Sequence, residues 1–222
     1  MSLKIIAISI AACATLTMQC CETTKITTTH TVTIRPATLT DLNAISAITH
    51  QQYQNTFKPL WTKHYAPMMP TTHNVDDFVQ KKATAADINN KDFIIKQILD
   101  KNSNHKFLIA ELIQGSKKTI AGYCRFEKKD PQTMYINFIV VEDSLRKQGI
   151  AKQLAHVAMH TFDDVTECQF RALVHYDFIN NLYSKHDCVN KGTISLDPNT
   201  GQISTDPALP ITHVDYSYTI KK

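Results

Sequence analysis

Between Lys106 and Phe162 the hydrophobic pattern of this chain changes period, and that change limits what it can fold into. Lys106 to Ile113 and Thr119 to Phe126 read as strands joined by a turn over Gln114 to Lys118, which makes a hairpin. Asp130-Pro131 turns the chain again, and Met134 to Val141 is a third strand. Gly149 to Phe162 then carries Ile150, Leu154, Val157, Ala158 and Phe162 at helical spacing. A strand over Gln169 to Val174, a short helix over Ile179 to His186, and strands over Val189 to Leu196 and Thr212 to Ile220 complete the series. Asp197 to Gly201 is a turn between the last two. Upstream, Thr31 to Arg35 alternates as a half-buried strand does, and Pro36 ends it. Thr38-Leu39-Thr40-Asp41 is a capping-box pattern before a helix bearing Leu42, Ile45, Ile48 and Tyr53. Phe57 to Thr72 reads as a loop with a short helix. Val75 to Lys82 and Lys91 to Lys101 read as helices, the second with a stripe of Phe93, Ile94, Ile98 and Leu99. Antiparallel strands followed by strand–helix–strand bury their apolar faces as an α+β sandwich, one mixed central sheet with helices on both faces.

A length of 222 residues suits one domain with appendages. With 43% hydrophobic and 20% charged residues, a disordered chain, a collagen and a multi-span membrane protein are excluded. The net charge of +4 is spread along the chain, so no nucleic-acid partner is expected. Residues 1–21 differ from the rest: Lys4 is the only charge before Glu22, and Ile5 to Thr17 is apolar or small. A basic start with a short apolar run describes a secretory leader, too short to span a bilayer stably. Ala12-x-Ala14 would serve as its cleavage site, and Cys20 as an alternative lipid attachment point. The expected organisation is a signal or anchor leader over 1–21, a threonine-rich tether over 22–29 and the folded domain over 30–222. Export or membrane anchoring through the leader follows, with a cytoplasmic location as the alternative. Cys124, Cys168 and Cys188 form no CxxC pair, so neither a zinc site nor a disulfide framework is indicated. Cys124 and Cys168 lie in apolar runs, where a free thiol acts as a small hydrophobe. His156 and His160 have metal-compatible spacing but lack the glutamate of HExxH and share a polar face with Lys152. They read as a solvated face, and no metal is expected.

The segment that carries chemistry is Ile139 to Ala151. A strand ends, a short loop follows, and a helix opens at Gly149. Backbone N–H groups of the loop and first helical turn lack intrahelical acceptors and, with the helix dipole, form an anion site suited to a pyrophosphate. Gly149 and the small Ala151 admit a phosphate close to the backbone, and Arg146 adds a cation beside it.

Arg146-Lys147-Gln148-Gly149-Ile150-Ala151 resembles the Q/R-x-x-G-x-G/A acyl-CoA loop of the GNAT acetyltransferase superfamily. Thr33 to Ala37 with Asp41 resembles that family's opening strand and helix. Ile109-Ala110-Glu111 and Ile120-Ala121-Gly122 resemble its central hairpin, and Leu182-Tyr183-Ser184-Lys185 its leucine–tyrosine helix. The resemblance spans about residues 30–220 in family order and implies a GNAT-like sheet of about six to seven strands. It departs at Asp143, where the family usually has proline, at Asp187-Cys188, and in an extra loop over Asp197 to Ile211.

The resemblance implies an N-acetyltransferase with acetyl-CoA as cosubstrate and no metal. An amine, on a small molecule or a protein, attacks the thioester directly. Val140, Val141, Arg146, Lys147, Gln148, Gly149, Ile150 and Ala151 are then the CoA-binding residues, with backbone N–H groups around Val141 holding the thioester carbonyl. Tyr183 is the general acid for the leaving thiolate. The third strand offers Tyr135 and Asn137 but no carboxylate before Glu142, so Asn137 and His175 are the further catalytic candidates, with Glu111 as another substitute base. A homodimer is also allowed for. The rivals are a non-catalytic acyl-CoA-binding member of the same fold and an envelope-anchored binding protein.

Overall fold

The computed structural model describes residues 31–64, 67, 90–100, 102–184, 186–196, 203–205 and 212–221. The expected leader and tether, the expected helix over Val75 to Lys82, Lys185 and most of the Asp197–Ile211 loop lie outside them.

Strand β1 (Thr31–Pro36) is followed by a 3₁₀ turn (Leu39–Asp41), α1 (Leu42–Gln52), a π-helical turn (Tyr53–Phe57) and α2 (Lys58–His64). Next come α3 (Asn90–Leu99), β2 (His105–Gln114), β3 (Lys117–Lys128) and β4 (Thr133–Val141). A 3₁₀ turn (Asp143–Leu145) leads into α4 (Ile150–Met159), β5 (Glu167–Leu173), α5 (Asp177–Ser184), β6 (Val189–Leu196), β7 (Ile203–Ser204) and β8 (His213–Thr219). The sheet order is β1-β2-β3-β4-β5-β8-β6-β7. All pairs are antiparallel except β4–β5. The expected mixed sheet with helices on both faces is therefore present. Seven strands carry it, and the two-residue β7, which the periodicity did not foresee, extends the β6 edge.

Alternation along the strands sends side chains to two cores. Toward α4, Leu108, Ala110, Cys124, Phe126, Met134 and Ile136 pack with Ile150, Leu154, Ala158 and Phe170. Toward α1 and α3, Phe107, Ile109, Tyr123 and Val140 pack with Ile45, Ile48 and Ile94. Leu154 and Phe126 are fully buried, each worth roughly 1.5–3 kcal/mol in transfer free energy. Cys124 and Cys168 are free thiols at 0% exposure, and burial pushes both pKa values up, so they act as the small hydrophobes their context suggests.

Three local expectations shift. Lys117 and Lys118 belong to β3, not to the hairpin turn, and pair with Gln114 and Ile113. Gly115, at φ +60°, permits a connection of two residues. Leu99 is exposed at 63%, because it lies about 100° around α3 from the line of Ile94 and Ile98 that faces the core. The helix expected to reach Phe162 stops at Met159. The Thr161 hydroxyl donates to the Val157 carbonyl at 2.9 Å and His160 Nδ1 to the His156 carbonyl at 2.8 Å, so side chains satisfy the last turn. Phe162 still reaches the core edge-on to Phe126, ring centroids 5.9 Å apart.

The Thr38–Asp41 cap forms as expected: the Asp41 carboxylate accepts the Thr38 N–H at 2.8 Å and its hydroxyl at 2.9 Å. It also takes both Arg35 Nη atoms at 2.8 Å, which ties β1 to the start of α1.

Candidate functional site

β4 and β5 run parallel, but pair over only four positions, from Thr133 with Glu167 to Ile136 with Phe170. β4 continues beside β3 as far as Val141 opposite Gly122, while β5 continues beside β8 as far as Leu173 opposite His213. Past Ile136 the two central strands therefore separate into a wedge, whose β4 side is the backbone of residues 137–141.

The separation has a local cause. Arg125 pairs with Phe138 and Phe126 with Ile136, so Asn137 is an extra residue in β4. A bulge of this kind bends its strand and ends regular pairing. Gly122 lets β3 follow the bent strand closely. A Cβ there would overlap the Val140 carbonyl oxygen and lie 3.1 Å from Val141 Cα.

At the open end of the wedge, the Glu142 N–H bonds the Ala121 carbonyl at 2.9 Å, and the chain turns through Asp143–Leu145. Lys147 and Gly149 both have positive φ, 64° and 79°, and Gly149 caps α4. The first acceptor of the α4 ladder is the Gly149 carbonyl, which takes the Gln153 N–H at 3.1 Å. The N–H groups of Ile150, Ala151 and Lys152 precede any intrahelical acceptor and point out of the helix end. A Cβ on Gly149 would meet nothing within 4 Å, and Lys147, Gln148 and Gly149 are exposed. Open space, orphan amides, a helix dipole and the Lys147 cation fit a diphosphate.

Not every expected binding residue contributes its side chain there. Val140 is buried on the α1 face and Ile150 in the α4 core, at 3% and 1% exposure, so each can offer only backbone groups. Val141 packs against the α4 core. Ala151 is exposed on the first turn of α4. The Arg146 guanidinium is committed inward: it pairs with Asp143, donates to Gln52 Oε1, and reaches the Val141 carbonyl at 3.4 Å through Nε.

The three catalytic candidates do not converge. The Tyr183 ring packs on Phe170 and Tyr216, centroids 4.3 Å and 5.2 Å away, on the α4 side of the sheet. Phe170 is the last β5 residue paired with β4, so Tyr183 lies against the apex of the wedge. Burial, reinforced by the Cys188 and Cys168 thiols, raises the phenol pKa and keeps it protonated at neutral pH. Asn137 sits at the same apex on the opposite face, donating Nδ2–H to Glu127 Oε1 at 2.9 Å. His175 stands beyond the end of β5, stacked on His64, centroids 4.2 Å apart and planes 14° from parallel.

Sequence reading overlooked Glu127. It lies opposite Tyr135 in the register, accepts from Asn137, and faces His105 Nε2 at 3.3 Å. Only the bulge brings Asn137 over Glu127, and no residue type in β4 announces a bulge. The Arg171–Asp215 pair, Nε to Oδ1 at 2.6 Å, was overlooked too, since its members are far apart in sequence. Burial, with Arg171 nearby, drives the His213 pKa down to about 4, so this imidazole is neutral above that. Glu111, the other substitute base, is bound up in ion pairs with Lys118 at 3.1 Å and Arg35 at 3.2 Å, and the Lys118 contact leads in lowering its pKa.

The sequence model of the acetyltransferase (GNAT) family matches residues 69–184, just over half of the chain. The chain belongs to the GNAT acetyltransferase family. Solved structures agree at the level of the fold. The PaiA N-acetyltransferase from Thermoplasma acidophilum, in complex with coenzyme A, is 14% identical with a TM-score of 0.55, over 85% of this chain and 99% of that one. The spermidine N-acetyltransferase from Vibrio cholerae, in complex with CoA and spermine, is 13% identical with a TM-score of 0.55, over 85% and 95%. A GCN5-related N-acetyltransferase structure from Rhodopseudomonas palustris is 15% identical with a TM-score of 0.58, over 86% and 96%. No curated protein sequence matches the chain. The wedge and the loop at its open end form one continuous candidate site.

Proposed function

We propose that this protein is an acetyl-CoA-dependent N-acetyltransferase that acts by direct attack of an amine on the thioester. The observation that carries the reading is the open helix end at Gly149 standing at the mouth of a wedge lined by β4 backbone that no longer pairs with β5. The α4 amides and Lys147 hold the diphosphate, and the wedge receives the extended arm that bears the acetyl group. Backbone N–H groups around Val141 stabilise the negative charge that develops on the carbonyl oxygen.

A carbon–nitrogen bond forms and the carbon–sulfur bond breaks. Tyr183, neutral and beside the wedge apex, supplies the proton that the departing sulfur needs, and the proton that the acylated nitrogen sheds passes to water, from which the phenol is reprotonated. Asn137 cannot act as a base, since its carboxamide takes no proton at neutral pH, but its Oδ1 can accept a hydrogen bond from the incoming amine. The acceptor approaches on the face that carries Asn137 and Glu127. A polycation is one candidate class, because a structural neighbour was solved with spermine.

Two measurements test the reading. Calorimetry should show CoA binding, and a thiol-reagent assay with acetyl-CoA and a panel of primary amines, spermine included, should show amine-dependent release of CoA. Binding without release for any amine would favour a non-catalytic acyl-CoA-binding protein. No binding would remove the reading altogether.

A further inference from the structure

The CoA loop and the helices on the acceptor side are joined by polar contacts that the reading above does not use. Asn55, in the π-helical turn, donates Nδ2–H to Asp143 Oδ2 at 2.8 Å. Arg146 holds Gln52 Oε1 while it pairs with Asp143. Gln52, the last residue of α1, is only 8% exposed, so its carbonyl oxygen has little water to turn to. Two residues of the loop thus grip two residues of the opposing segment, and Arg146 and Asp143 grip each other.

The same segment also rests on the wedge. Tyr53 and Phe57 pack on each other at 5.2 Å and on Phe138 at 6.3 Å and 6.1 Å. Phe138 is the first residue past the bulge, where β4 has left β5. Further along, His64 at the end of α2 stacks on His175, beyond the end of β5. Residues 42–64 therefore cross from the β4 side of the wedge to the β5 side. π-helical turns occur preferentially at functional sites, and here one carries both the loop contact and the Phe138 contact.

We propose that Asp143 and Arg146 are positioning residues that couple occupancy of the CoA loop to order in residues 42–64, so that CoA binding organises the acceptor side of the wedge. The inference rests on the CoA-binding reading given above. An anion held by the amides of 150–152 restrains the loop that carries Arg146 and Asp143, and those side chains restrain Gln52 and Asn55.

Hydrogen exchange of the full chain with and without CoA tests this, alongside calorimetry of CoA binding. In the wild type, CoA should slow amide exchange across residues 42–64 by about fivefold or more, the low end of ordinary site-to-site coupling. Gln52→Met removes the acceptor for Arg146 at similar volume. It should lose that slowing while CoA affinity stays within about threefold. Gln52→Glu keeps an acceptor and should restore the slowing, which a merely structural role for this position would not produce. Asn55→Ala gives a second, exposed test if Gln52→Met does not fold. Wild-type protein that binds CoA with unchanged exchange over 42–64 overturns the proposal. So does full slowing in the folded variants. Absence of CoA binding in the wild-type calorimetry instead overturns the functional reading, and the coupling falls with it.

Discussion

Gly149 offers the sharpest test of where the diphosphate binds, because two effects of replacing it can be separated. Its φ of +79° lies in the left-handed region, where an L-residue pays roughly 1–2 kcal/mol. No atom lies within 4 Å of the added Cβ, so steric overlap contributes nothing further to folding. Both Gly149→Ala and Gly149→Glu should therefore lose about 1–2 kcal/mol of stability and melt a few degrees lower, as expected for a chain of this size. Only the glutamate brings charge to the end of α4. At ~5 Å, one pair of like charges costs about 0.8 kcal/mol in bulk water and about 3 kcal/mol at an effective dielectric of ~20. Against the two charges of a diphosphate, the lower figure doubles to about 1.6 kcal/mol, or at least roughly a tenfold loss of CoA affinity. Calorimetry on the folded variants, with denaturant unfolding run in parallel, measures both quantities. A folded Gly149→Glu protein binding CoA within about threefold of wild type would refute the placement of the diphosphate at this helix end.

Tyr183→Phe keeps the ring against Phe170 and removes only the hydroxyl, so turnover should fall by about 10²–10⁴ with acetyl-CoA affinity little changed. A loss under about threefold in the steady-state thiol-release rate would leave Tyr183 a packing role. Gly122→Ala forces the Val140–Val141 backbone away and should destabilise by about 1–3 kcal/mol in urea unfolding, with reduced turnover in the remaining folded protein. An alanine variant as stable and active as wild type would show that β4 can move there freely. Acid should weaken the fold in two stages. His213, held down to about 4 by burial, remains neutral in the folded state while the unfolded chain takes up a proton near 6.5, so stability drops as pH falls from about 6.5 to 4. Asp41, held at about 2 chiefly by its hydrogen bond to Arg35, supports the fold above its unfolded value and loses that support as pH falls from about 4 to 2. His213→Gln should shrink the first stage and Asp41→Asn the second. Unfolding curves at stepped pH in which neither variant alters its stage would contradict both assignments.

Residue order alone determined most of the scaffold. The apolar runs over Lys106–Ile113, Thr119–Phe126 and Met134–Val141, and the 3.6-residue period of Ile150, Leu154 and Ala158, depend on local sequence, because the central strands bury both faces and the helix buries one. The strand-loop-helix turn before α4 was legible as a local pattern: Gly149 marks the helix start, and the helix does open there. What tertiary structure decided depends on register. The bulge at Asn137 exists only relative to β3, and from it follow the wedge and the meeting of Asn137 with Glu127; the contact of Tyr183 with Phe170 likewise forms only once α5 packs on β5. Arg146 reads from sequence as a free cation beside a phosphate. In the fold it faces Gln52 and Asp143, because α1 ends where β4 ends. His175 reads as a base, yet it stacks on a histidine 111 positions earlier. Such pairings arise when distant segments close on one sheet, and no local pattern encodes the distance between residues that only the completed sheet brings together.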